Sequence, residues 1–184
     1  MTTPRLFLVA PETLGATQIL ACAKAACAAG DVASIVVPQA VLGATKDLQA
    51  LGLAVLSSGE AKSNCDGVHI GTGADAAAAR KAVGKNAIVG VYCAASRHAA
   101  MQAAEDGADY IAFSQNAYAP KEPIIGWWAD LFEIPCVAYD PVEPPDLDIL
   151  LPQNPDFIRP SDAMWASPEE AARVVAALMQ RITA

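Results

Sequence analysis

Short uncharged runs alternate along this chain with longer segments in which apolar residues return every three or four positions. The clearest unit is AIVGVYCAASRHAAMQAAEDGADYIAF at 87–113. Its first run, 87–92, is uncharged and rich in β-branched residues, which predicts a strand buried on both faces. Ser96 caps the helix that follows. Ala99, Ala100, Ala103 and Ala104 recur there at helical spacing beside Gln102, Glu105 and Asp106, and Gly107 supplies a left-handed stop. Residues 109–113 begin another strand. Two strands joined by a helix of this length are parallel, with a right-handed crossover.

The same rhythm holds from end to end. RLFLVA at 5–10 predicts the first strand, closed by Pro11, and the Ala-rich 17–29 segment a helix ending at Gly30. Strands follow at 32–37 and 53–56, with a short helix at 44–51 between them. Only 57–65 separates the third strand from the fourth, 67–70, so a helix there is little more than two turns. Residues 75–83 predict a helix stopped at Gly84. After the central unit come a loop at 114–121, a helix at 126–132 and a strand at 136–139. Five prolines at 141, 144, 145, 152 and 155 leave the 140–156 connection room for one helical turn near 147–151. An eighth strand spans 157–161. The last helix opens with Ser167 and Glu170 as a capping box around Pro168, and Val174, Val175, Leu178, Met179 and Ile182 form one apolar stripe.

Eight strands, each followed by a helix or a remnant of one, predict a compact parallel (β/α)8 TIM barrel, an α/β fold with shortened helices after strands 3 and 7. A doubly wound open sheet is the rival. The 184 residues, 54% of them hydrophobic, form a single domain, 1–184. Twenty acidic against twelve basic residues give a net charge of -8, which argues against nucleic acid or an anionic membrane as partner. The five cysteines are scattered without a CxxC pair, which fits a reducing, cytoplasmic setting and suggests neither a disulfide framework nor a zinc site. No apolar run approaches the roughly 20 residues that span a bilayer, and no basic leader opens the chain.

Several segments together carry a family likeness. CDGVHIG at 65–71, the 87–113 unit, GWWADLFEIPCVA at 126–138 and DFIRPSDAMW at 156–165, with RLFLVAP at 5–11, resemble the thiamine-phosphate synthase and TenI superfamily in order and spacing. The resemblance implies a barrel with its site at the C-terminal mouth. It also implies coupling of a hydroxymethylpyrimidine diphosphate with a thiazole phosphate, releasing pyrophosphate with magnesium. The TenI branch aromatises a thiazole phosphate tautomer instead.

Position by position, the family's fittings are mostly replaced. Where its second strand ends in diphosphate-holding cations, SIVVPQ at 34–39 has none. The acidic metal ligand after the third strand is Ser57 or Ser58 here, and Asp75 matches the second only with a small register shift. One carboxylate is a poor magnesium site unless a substrate phosphate completes it. Tyr92 and Ala94 stand where the family has a serine and a histidine, and the TenI catalytic histidine falls near Gln115. The sixth-strand loop, SQNAYAPK at 114–121, keeps only Lys121 of the family pattern. Tyr139 and Asp140 replace the two glycines that cradle the thiazole phosphate, and Pro160 removes an amide donor.

The candidate substrate-binding residues are therefore Tyr92, Ser114, Lys121, Tyr139, Arg159, Ser161 and Asp162, with Asp75 as the candidate metal ligand; no catalytic residue is assigned. Each has a plainer reading beside it. Asp75 suits a helix cap, Lys121 a solvated loop, and Arg159 with Asp162 a structural ion pair. His69 reads as a hydrogen-bonded packing residue, Cys93 as a buried packing residue without a base, and Trp127, Trp128 and Trp165 as filling between helices and barrel. The resemblance makes the chain synthase-like with lost or altered activity. Alternatives are a non-catalytic paralogue that binds a small molecule or a protein partner, and a TenI-like tautomerase. Magnesium is implied if the chain is active and no cofactor otherwise. A small phosphorylated heterocycle is the expected ligand, and trimmed helices leave apolar surface for a second copy in a homodimer.

Overall fold

Strand residues here are buried on both sides, and alternation divides them between two cores. In a computed structural model, which describes residues 3–114 and 123–184, the strands β1 (Arg5–Val9), β2 (Val32–Val37), β3 (Ala54–Ser58), β4 (Gly67–Ile70), β5 (Ile88–Tyr92), β6 (Tyr110–Phe113), β7 (Cys136–Val142) and β8 (Phe157–Pro160) pair in sequence order. All pairs are parallel, and β8 closes on β1 through Arg5 opposite Phe157. The predicted barrel forms, and the open sheet does not.

Helices coat the outside: α1 (Ala16–Ala29), α2 (Thr45–Gln49), α3 (Ala76–Val83), α4 (Arg97–Glu105), α5 (Ile124–Leu131), α6 (Leu147–Leu150) and α7 (Pro168–Ile182). Leu6, Leu8, Ile35, Val55, Val89 and Ile111 face them and are fully buried. Caps fall where the sequence puts them: Ser96 accepts from the Ala99 amide at 3.1 Å, and Gly107 turns the chain at φ +95°. At α7 Ser167 accepts from the Glu170 amide at 3.2 Å, but the Glu170 carboxylate takes Arg173 at 2.7 Å, so the predicted box closes on one side only. No helix among the described residues is long and apolar enough to cross a membrane.

One of the two shortened connections differs from expectation and the other follows it. Residues 57–65 hold no helix. The Ser57 hydroxyl donates to the Glu60 carbonyl at 2.6 Å and Gly59 turns at φ +80°. The Asn64 side-chain amide donates to the Leu42 carbonyl at 3.1 Å and to the Thr45 hydroxyl at 3.2 Å, which ties the segment to the preceding turn. After β7, α6 is a single turn between 3-10 turns at Pro144–Asp146 and Leu151–Gln153. Its brevity leaves Ile149 72% exposed, and with Leu131 at 65% it flanks a groove of about 640 Å³ floored by Trp127.

The second core fills the barrel. Phe7, Val36, Leu56, Tyr110, Ala112 and Val137 meet there, with Val9, Ile88, Tyr92, Tyr139 and Phe157 at its ends. Size alternates between neighbouring strands. Gly90 lies opposite Tyr110, and a Cβ on Gly90 would come within 1.8 Å of the Tyr110 ring. Across that gap the Tyr110 hydroxyl shares a 2.7 Å hydrogen bond with Nδ1 of His69, whose imidazole stacks on the phenol ring at 5.8 Å. Phe7 closes the group edge-on at 5.5 Å from Tyr110. His69 is thus the hydrogen-bonded packing residue that its apolar strand predicts.

Two outcomes follow from this interior. Gly90→Ala forces a methyl into the Tyr110 ring, and urea unfolding is expected to show a loss of about 1–3 kcal/mol with the m-value unchanged. Burial, and then the positive charge of Arg159, lower the His69 pKa from 6.5 to about 4. Between those values the unfolded chain takes up a proton that the folded chain refuses, so stability falls as pH drops through the window. By pH 4 the loss attributable to His69 is on the order of 3 kcal/mol. Urea midpoints at pH 7 and pH 4.5 for the wild type and His69→Gln test this: the variant is expected to lose the smaller amount, and equal losses would refute the assignment.

Candidate functional site

The C-terminal ends of barrel strands are where such folds carry their chemistry. Alternation along β5 to β8 sends Tyr92, Ser114, Tyr139, Arg159 and Ser161 toward the mouth, in step with the inward Tyr110, Ala112, Val137 and Phe157 below them. The 3-10 turn Asp162–Trp165 follows at once and puts Asp162 beside Arg159.

Tyr139 is the hub of this end. Its ring stacks on His69 at 5.1 Å with 15° between planes, tilts against Tyr92 at 4.9 Å and lies 6.3 Å from Phe7. The Arg159 guanidinium carbon sits 5.3 Å from the ring centroid, a cation-π approach. Burial raises the Tyr139 pKa and Arg159 partly offsets it, so the phenol stays neutral. The β7–β8 register shifts between Ala138 and Val142, and there the Tyr139 carbonyl accepts from Arg159 Nη1 at 3.3 Å. Arg159 Nη2 donates to Asp162 Oδ1 at 2.7 Å. Its Nε is shielded from solvent and has no hydrogen-bond partner among the described residues. On the neighbouring strand the Ser114 hydroxyl lies within 2.9 and 3.0 Å of the two Asp140 oxygens.

Four of the residues singled out by sequence thus meet, Tyr92, Tyr139, Arg159 and Asp162, while Ser114 binds Asp140, which follows Tyr139 in sequence. Ser161 has a local task, since its hydroxyl accepts from the Ala163 amide at 3.3 Å and its own amide donates to the Val142 carbonyl at 3.0 Å. Asp75 is the N-cap of α3, accepting from the Ala78 amide at 2.8 Å. Among the described residues no three His, Cys, Asp or Glu side chains converge as metal ligands. The side chains described therefore fit a magnesium ion poorly. Lys121 and Gln115 lie outside the described residues.

Cys93 is buried, and burial pushes its thiol up to about 11. It remains a thiol at neutral pH, as its packing role requires. Beside it Ala94 adopts a left-handed φ of 49°, and its carbonyl accepts the Ser114 amide at 3.0 Å. Sequence reasoning missed the partners rather than the residues. The Tyr110–His69 bond and the Ser114–Asp140 contact join positions 41 and 26 apart in sequence, on strands whose register the pattern alone does not give. A glycine facing an aromatic across adjacent strands was the available signal for the first.

Known proteins agree with this architecture. The family model for thiamine monophosphate synthase and TenI matches residues 54–152. A thiamine-phosphate synthase of Rhodospirillum centenum is 36% identical over 201 aligned positions, covering 96% of each chain. One from Erythrobacter litoralis is 37% identical over 172, covering 88% of this chain and 72% of its own. Among solved structures, a thiamine phosphate pyrophosphorylase from Pyrococcus furiosus superposes with a TM-score of 0.75 at 18% identity, covering 98% of this chain and 96% of that one. The identity and coverage of the two curated relatives, with a family model matching more than half of the chain, show that it belongs to the thiamine-phosphate synthase and TenI family.

Proposed function

We propose that this chain serves thiamine biosynthesis on the synthase scaffold, with the coupling of hydroxymethylpyrimidine diphosphate and thiazole phosphate lost or altered. Family membership supports the pathway. The Tyr139 ring supports the change in chemistry: it occupies the mouth against His69 and Tyr92, where the family's glycines leave backbone amides open to a phosphate. A phenol at that point keeps a ligand from approaching the main chain.

Charge argues the same way. Arg159 is matched by Asp162. A departing pyrophosphate needs cations or a metal to take up its developing charge. No such cations stand at the end of β2, where Pro38 and Gln39 follow Val37.

The test is the coupling itself. Purified protein incubated with hydroxymethylpyrimidine diphosphate, thiazole phosphate and magnesium is expected to yield no thiamine phosphate above a protein-free control. A synthase of established activity run alongside should give product readily. Thiamine phosphate formed by this chain at a rate comparable to that control would overturn the reading.

A further inference from the structure

The guanidinium of Arg159 is only partly satisfied. Nη2 is bound to Asp162 and Nη1 leans on the Tyr139 carbonyl, while Nε is buried with no acceptor among the described residues. Buried donors without partners are rare because they forfeit their hydration for nothing. The Arg159 side chain is 16% exposed but Asp162 is 59% exposed. An exposed carboxylate leaves such a pair at little cost. Nε and Nη2 lie on one edge of the guanidinium plane, the edge that a planar carboxylate engages with two parallel hydrogen bonds.

We propose that Arg159 receives the carboxylate of a small aromatic monoanion through Nε and Nη2, and that Asp162 stands in for it in the ligand-free protein. This rests on the reading of a mouth no longer built for phosphorylated reactants. The ring of the ligand stacks beside Tyr92 and Tyr139, which already present aromatic surface next to the guanidinium.

A phosphate fits less well, for two reasons. Asp162 already balances Arg159, so a dianion brings about twice the unbalanced charge that a monoanion does. Among the described residues the end of β8 is also short of backbone donors for a third oxygen: Pro160 lacks an N–H, and the Ser161 amide is spent on Val142. A carboxylate needs only the two guanidinium donors.

Calorimetric titration with benzoate and, separately, phenyl phosphate separates these chemistries. The wild type is expected to bind benzoate more tightly than phenyl phosphate. Asp162→Asn, which removes the competing charge, should tighten benzoate about three- to tenfold. Arg159→Met should weaken it at least about tenfold. Arg159→Lys, which keeps the charge but not the planar edge, should weaken it by about the same factor, and it decides the matter if the Met variant fails to fold. Benzoate binding unaffected by Arg159→Lys, phenyl phosphate bound more tightly than benzoate, or no benzoate binding to either wild type or Asp162→Asn would each overturn the proposal. The coupling assay separates the two readings. Thiamine phosphate formation overturns the lost-coupling reading by itself, and absent benzoate binding with a blank coupling assay overturns only this one.

Discussion

The packing of Tyr110 across Gly90 is the constraint on which the mouth of this barrel depends. Only a residue without a Cβ leaves room for that ring, and only with the ring in place does its hydroxyl reach Nδ1 of His69. The imidazole is then held flat, and Tyr139 stacks on it. Tyr92 and Arg159 close on Tyr139 in turn. A column of rings therefore runs from the middle of the barrel to the ends of β5, β7 and β8. Protonation is part of the same constraint. A charged His69 would set a second positive charge near Arg159, and burial keeps the ring neutral.

Much of the fold is legible because the signals are local. Continuous apolar runs such as 32–37 and 110–113 mark strands buried on both faces, and Asp75, Ser96 and Ser167 all cap the helices that follow them. The connection at 57–65 is different. Its composition permits a helix, and periodicity says nothing about the tertiary bonds that the Ser57 hydroxyl and the Asn64 side-chain amide make there.

The candidate site is legible in its residues and hidden in its contacts. Tyr139, Arg159 and Asp162 stand out because charged or bulky side chains occupy strand ends. Their roles come from neighbours that no local window contains: the His69 imidazole behind Tyr139, the register shift between β7 and β8, the acceptor missing at Arg159 Nε. Ser161 shows the opposite failing. It sits at the right strand end for a ligand contact, yet its hydroxyl and amide are consumed by the turn that it begins.

Alternation lets a barrel keep its family likeness on one face of each strand whatever the other face carries. Leu8, Ile35, Val89 and Ile111 point outward and bind sheet to helices, whereas Phe7, His69, Tyr110 and Tyr139 point inward and meet one another. Substitution on one face leaves the other packed. The outward set preserves closure, and with it the sequence likeness to synthases of the family. The inward set is free to exchange open backbone for aromatic rings, provided that each added volume finds a glycine or alanine across the strand. Gly90 and Ala112 meet that condition for Tyr110 and Tyr92, so these two rings are accommodated inside the barrel without disturbing the outward packing.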